Sequence, residues 1–154
     1  MNSIRIQTHD FNLAEEYQLL RELSPAVGAV VTFTGLVRDF ELDSSIDSLT
    51  LQHYPGMTEK LLQEIVDQAN QRWDLIAITL IHRVGELLPR DQIVFVGVAS
   101  QHRVAAFEAA QFLMDYLKTK ATFWKQVSQD GKQHWVESKD SDSTAAARWN
   151  TRGD

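Results

Sequence analysis

The 154-residue chain contains no cysteine, which excludes disulfides, thiolate metal sites and a nucleophilic thiol together and suits a reducing compartment. It has only three prolines, and Pro25, Pro55 and Pro89 each fall where a periodic stretch ends. No apolar run approaches the ~20 residues needed to cross a bilayer, and no basic stretch followed by an apolar one opens the chain. The expectation is a cytoplasmic protein that neither spans nor binds a membrane. Positive charge is scarce as well: 15 Lys and Arg stand against 21 Asp and Glu, a net charge of -6. Phosphate backbones reward a basic footprint, so general nucleic-acid binding is excluded and any anion site must be a local cluster. Also missing are the GxxxxGK, GxGxxG, HExxH and GxSxG signatures. The five histidines form no pair at helical ligand spacing, so neither a resident metal nor a cofactor is expected.

With 44% hydrophobic and 23% charged residues, the composition is that of a chain that buries one core. One domain spanning 1–154 is expected, with a polar tail from about residue 140 whose large apolar residue, Trp149, is mobile or docked on a neighbour. Ser3 to Gln7 alternates and reads as a strand. Asn12 with Glu15 three residues on is a capping-box variant opening a helix whose apolar positions include Leu13, Tyr17, Leu20 and Leu23. The stretch from Gly28 to Arg38 is rich in β-branched residues and reads as a strand in which Gly35 permits a bulge. Ser48 to Tyr54 forms another. Met57, Leu61, Leu62, Ile65, Val66, Ala69 and Trp73 make the stripe of an amphipathic helix. Leu75 to Val84 and Ile93 to Ala99 read as buried strands. A long helix from about Gln101 to Lys118 should turn Ala105, Phe107, Ala109, Phe112, Leu113, Tyr116 and Leu117 inward. Thr122 to Val127 and His134 to Glu137 flank an Asp130-Gly131 hairpin signal. Without a regular βαβ rhythm, this order favours an α+β fold.

The distribution of cations is the chemical signal. His102 and Arg103 open the long helix directly after a buried strand, where free N–H groups and the helix dipole favour an anion. Lys118 and Lys120 close that helix, and Lys125 follows beside Phe123 and Trp124. Two readings stay open for the lysines: complements of the helix dipole, or part of an anionic site to which Arg38 also contributes. If several cations converge, they weaken one another's hold on protons, and a lysine becomes available for acid–base or covalent work, which an arginine is not. Glu86 and Asp91 flank a turn and read as solvated. Arg152-Gly153-Asp154 matches an integrin-recognition tripeptide by coincidence.

The segments "GAVVTFTGLVRD" from Gly28, "LTLQHYPGMTEK" from Leu49, "IHRVGEL" from Ile81, "VFVGVASQHRVAAFEAAQFLMDYLKTKATFWK" from Val94 and "WVES" from Trp135 resemble, in order, the large subunit of molybdopterin synthase. The resemblance implies an α+β fold with an α/β-hammerhead core and a small β subdomain, in a homodimer at the centre of a heterotetramer. Each end would bind a small ubiquitin-like subunit whose C-terminal Gly-Gly thiocarboxylate delivers sulfur to cyclic pyranopterin monophosphate. Matched position by position, Lys118 and Lys125 would be catalytic, and Arg38, His102 and Arg103 would bind the phosphorylated pterin. Met114 and the backbone around Lys125, Gln126 and Val127 would lie in the same pocket. Two positions depart from the family: Leu36 stands where a lysine is frequent, and Lys139 where an arginine is common. Lys139 would reach the other protomer's pocket but lacks bidentate phosphate recognition. The alternative function is a non-catalytic module that binds the pterin or the ubiquitin-like protein.

Overall fold

The computed structural model describes residues 1–38, 40–41, 44–45, 47–121, 123–136 and 146–150. Among these residues, two four-stranded sheets and three helices form a mixed α+β fold. The larger sheet joins β1 (Asn2–Gln7), β6 (Ala77–Arg83), β8 (Gln92–Ser100) and β2 (Ala29–Leu36) in that spatial order. Its β1–β6 pair is parallel and the others antiparallel. The smaller sheet orders β10 (Lys132–Val136), β9 (Phe123–Gln129), β5 (Ser48–His53) and β7 (Gly85–Leu87), all antiparallel. A two-residue pair, β3 (Phe40–Glu41) with β4 (Ser44–Ser45), follows β2.

Alternation along β6 and β8 divides the core. Ile78, Leu80, Val94, Val96 and Val98 face α2 (Met57–Arg72) and α3 (Arg103–Lys120), where they meet Leu62, Val66, Phe112 and Leu113. Ala77, Ile81, Phe95 and Ala99 face the other way, toward Leu20 of α1 (Leu13–Arg21) and Phe11. Gly97 lies under α1, and a Cβ there would collide with the Leu20 side chain and the Phe95 ring.

Local signals explain the element boundaries. The Asn12 side chain accepts from the Glu15 N–H at 3.2 Å and starts α1. The Glu59 carboxylate accepts from the Gly56 N–H at 3.0 Å and closes the first turn of α2. Asp130 and Gly131 take positive φ values of 51° and 77°, as the tight β9–β10 hairpin requires. The register of β2 shifts between Gly35 and Leu36, a bulge at the expected glycine.

Of the apolar positions at α1, Leu20 is buried while Leu13, Tyr17 and Leu23 are substantially exposed, and the helix also buries Glu16, whose carboxylate takes a paired bond from Arg5. Two burial expectations are corrected. Phe107 is 61% exposed, because the buried face of α3 runs through Ala106, Ala109, Ala110 and Leu113 and leaves Phe107 opposite. Trp149 docks on its own chain. It is 4% exposed, lies edge-on to Trp73 and Phe112, and donates from Nε1 to the Asp115 carboxylate at 2.7 Å. Arg72 caps the Trp149 carbonyl at 3.1 Å. Lys139, Glu137, Thr122 and the Arg152-Gly153-Asp154 tripeptide lie outside the described residues.

Candidate active site

Strand and helix directions decide which cations can meet. β2 and β8 run antiparallel, with Ala29 beside Ser100 and Leu36 beside Gln92. α3 begins just past Ser100 and packs back along β8 and β2, so its C-terminal end lies over the Leu36–Gln92 edge. Lys118 is therefore delivered to the same end of the sheet as Arg38, which is exposed two residues after β2. Between them the chain is pinned: the buried Val37 donates to the Asp91 carbonyl at 2.9 Å and accepts from the Arg90 N–H at 2.7 Å.

The second sheet supplies the rest. Residues directly opposite in an antiparallel pair point to the same face, and the register sets His53 against Phe123, Leu51 against Lys125 and Leu49 against Val127. Leu49, Leu51 and Val127 are core residues, so this face looks inward, and Lys125 and His53 share it. Trp124, Gln126 and Ser128 emerge on the opposite face. Val127 is fully buried, which leaves main-chain groups as what it and Gln126 could offer from the Lys125 side. Met114 is half-buried on α3, one turn before Lys118.

At the joint of the two sheets sits His82, a residue that sequence reasoning passed over. It follows Ile78 and Leu80 on the helix-covered face of β6 and is 6% exposed. Its ring stacks on Phe123 with centroids 3.8 Å apart and planes 15° from parallel. Nδ1 lies 2.8 Å from the Arg83 carbonyl oxygen, which defines it as the protonated nitrogen of a neutral ring. Burial lowers the imidazole pKa to about 4, opposed by the Arg83 carbonyl and reinforced by the charges of Lys118, His53 and Lys125. The charges of both lysines thus bear on one buried ring; Lys118 itself is exposed at the end of α3, and Lys125 and His53 are half-buried. A polar residue in the even phase of an otherwise apolar run was the available signal for His82; its partners, distant in sequence, gave none.

Not every predicted residue joins this cluster. His102 and Arg103 are exposed at the N-terminal end of α3. Fifteen residues of helix separate Arg103 from Lys118, about 22 Å at 1.5 Å per residue. One protomer therefore cannot set both groups around one small substrate. Lys120 turns away to another face of α3, with Nζ 5.8 Å from the Tyr116 ring centroid. There it borders a shallow open groove of about 180 Å³ beside Ala146 and Asn150, distinct from the lysine cluster.

Arg38, Lys118, Lys125 and His53 are basic side chains of an otherwise acidic chain, of the kinds that can bind an anion or, for the lysines, offer an amine. Among the described residues no group of three or more His, Asp and Glu is arranged to hold a metal ion. The sequence model described as MoaE protein matches residues 6–120. The chain is 58% identical over 139 residues to the molybdopterin synthase catalytic subunit of Escherichia coli (strain K12), covering 90% of this chain and 92% of that one. It superposes on the structure of the molybdopterin biosynthesis MoaE protein from Burkholderia ambifaria with a TM-score of 0.84 and 46% identity, covering 98% and 99% of the two chains. The crystal structure of molybdopterin synthase from Staphylococcus aureus matches with a TM-score of 0.79 and 27% identity, over 86% of this chain and 95% of that one.

Proposed function

This chain belongs to the MoaE family, and we propose that it works as the family's enzyme does, with Lys118 and Lys125 carrying the chemistry of sulfur transfer in molybdenum cofactor biosynthesis. The observation that supports this most is the register of the second sheet, which turns Lys125 and His53 to the inward face beside Phe123 and the His82 ring stacked on it, with Lys118 at the C-terminal end of α3. Arg38 stands at the same end of the molecule and would bind the phosphorylated pterin by charge-assisted hydrogen bonds.

In this reading a small ubiquitin-like subunit presents its C-terminal Gly-Gly thiocarboxylate to the lysine cluster. Its sulfur attacks an oxygen-bearing carbon of the substrate side chain, so that a C–S bond joins the two molecules as a C–O bond breaks and the departing oxygen leaves with a proton or stays on the phosphate. Water then hydrolyses the resulting thioester, leaving sulfur on the pterin and a carboxylate on the carrier. Two such deliveries build the dithiolene. Lys118 takes the acid–base or covalent part, and Lys125 assists. The catalytic unit is one domain, acting in the cytoplasm without a resident metal or cofactor.

The helix length of about 22 Å between Arg103 and Lys118 favours a dimeric enzyme. His102, Arg103 and Lys139 from a second copy of the chain would complete the anion site around the first copy's Arg38 and lysines, with one small subunit bound to each protomer. The test is to mix the purified chain with thiocarboxylated small subunit and cyclic pyranopterin monophosphate and to assay the dithiolene product. Product formation is expected without ATP and after chelator treatment. Binding of both molecules with no product would select the non-catalytic module instead.

A further inference from the structure

The turn at residues 88–91, which joins β7 to β8, holds an arginine in a backbone conformation that its side chain disfavours. Arg90 takes φ 74°, and the Asp91 N–H closes the turn on the Leu88 carbonyl at 3.0 Å. This is the third position of a turn that calls for glycine or asparagine, because a longer side chain is strained there. Asp130 also has a positive φ, but it is of the short polar kind that tolerates one. Nothing local compensates Arg90. Its side chain is exposed and makes no hydrogen bond or ion pair among the described residues, and the neighbouring Asp91 carboxylate is turned back to accept from the Leu88 N–H at 2.8 Å. Backbone strain of this kind concentrates where a side chain has work to do. The Arg90 N–H donates to the Val37 carbonyl at 2.7 Å and the Val37 N–H to the Asp91 carbonyl at 2.9 Å. Covalent geometry then keeps the Cα atoms of Arg90 and Arg38 within about 7 Å of each other. Val37 is 3% exposed and shares the small sheet's core with Leu87 and Val127, so the two backbones are fixed in place. Arg38 is likewise exposed and unpaired among the described residues. Two guanidinium groups on such close stems repel each other unless an anion lies between them.

We propose that Arg90 is a second phosphate-binding residue of the sulfur-transfer site and that, together with Arg38, it holds the phosphate of the pterin substrate. Each guanidinium offers a planar fork of N–H donors that matches phosphate oxygens, and two forks take different edges of one phosphate. A glycine at position 90 would close the same turn and give the same amide to Val37 without strain. What arginine alone adds is the cation. This role for Arg90 rests on the reading that Arg38 binds the phosphorylated pterin, and the experiment separates the two.

Isothermal titration with cyclic pyranopterin monophosphate compares the parent with Arg90→Gly, Arg90→Lys and Arg38→Ala, and the small ubiquitin-like subunit is titrated separately against the same proteins. Arg90→Gly relieves the positive φ, so its urea midpoint should rise while its affinity for the precursor falls about tenfold or more. Higher stability with weaker binding is a pairing that a merely structural turn residue would not give. Arg90→Lys keeps the charge and loses the fork, and its precursor affinity should lie between those of the parent and Arg90→Gly. Affinity for the small subunit should stay at the parental value in both variants. Parental precursor affinity in Arg90→Gly beside weakened binding in Arg38→Ala would overturn the role of Arg90 and leave the Arg38 site standing; parental affinity in both would overturn the two together. Weakened small-subunit binding by Arg90→Gly at parental precursor affinity would also overturn it, because the arginine would then serve the protein carrier.

Discussion

His82 binds a proton more readily in the unfolded chain than in the native one, since burial above all brings its pKa from 6.5 down to about 4. Above pH 6.5 neither state holds that proton, and the residue contributes its full share of stability. Between pH 6.5 and 4 the unfolded state takes up the proton first, so stability falls as the pH falls; below 4 the loss is complete. A displacement of this size corresponds to about 3 kcal/mol. Urea unfolding at pH 7 and pH 4.5 should show much of that loss in the parent and little of this contribution in His82→Phe. Equal pH slopes for the two would place the acid sensitivity elsewhere. At the exposed cations the expectation is different. Arg38→Ala and Arg103→Ala should each weaken binding of the phosphorylated pterin by about one to two decades, as loss of a charge-assisted bond does, with melting temperature preserved. Isothermal titration with the precursor checks this; unchanged affinity would mean the anion site is misplaced.

α3 links the site to the rest of the fold, and its C-terminal half is fastened by the C-terminal segment. Trp149 fills the angle between Trp73 and Phe112, its indole N–H bonds the buried Asp115 carboxylate, and Arg148 approaches the same carboxylate at 3.5 Å. Asp115 lies one turn before Lys118, so the clasp steadies the part of the helix that carries the lysine. Trp149→Ala should cost about 3–5 kcal/mol in denaturant unfolding, the range for a buried aromatic truncated to alanine. Trp149→Phe keeps most of the packing and should cost about 1–3 kcal/mol for the carboxylate left short of a donor. A loss under about 0.5 kcal/mol for Trp149→Ala would show that the segment is not docked as described.

What the chain order disclosed and what it hid follow from the range of the interactions. Asn12, Gly35 and the Asp130-Gly131 pair act within a few residues of themselves, so the cap, the bulge and the hairpin were all legible. The α+β class followed from element order. The docking of Trp149 was not legible, because its partners Trp73, just past the end of α2, and Phe112 of α3 are far away in sequence. Phe107 was misplaced because α3 is apolar on more than one side and its sequence alone leaves the phase of the buried stripe open. Arg38 and both lysines could be named from resemblance, whereas the meeting of Lys125 and His53 beside His82 depends on sheet register. Helix length separated His102 and Arg103 from that group, a distance that a linear list of basic residues does not convey.

For the whole molecule, the two ends of α3 require a second copy if His102 and Arg103 are to serve the lysine site. Val104 and Phe107, on the same first turns of α3, are 62% and 61% exposed, and an interface that brings His102 to another protomer would cover them. Light scattering should give twice the chain mass. Phe107→Glu should shift the protein toward monomer and lower turnover together, whereas a monomeric parent with full activity would exclude the shared site. The central claim is that Lys118 does chemistry and does not merely complement the helix dipole. Single-turnover formation of dithiolene from preformed thiocarboxylate, compared between the parent, Lys118→Ala and Lys118→Arg, tests it most directly. The account predicts a rate at least ~10²-fold lower in Lys118→Ala with partner binding intact, and nearly as low in Lys118→Arg, which keeps the charge but holds its proton. A near-parental rate in Lys118→Ala, with a stability change of about 0.3–1 kcal/mol, would contradict it and leave Lys118 a helix cap.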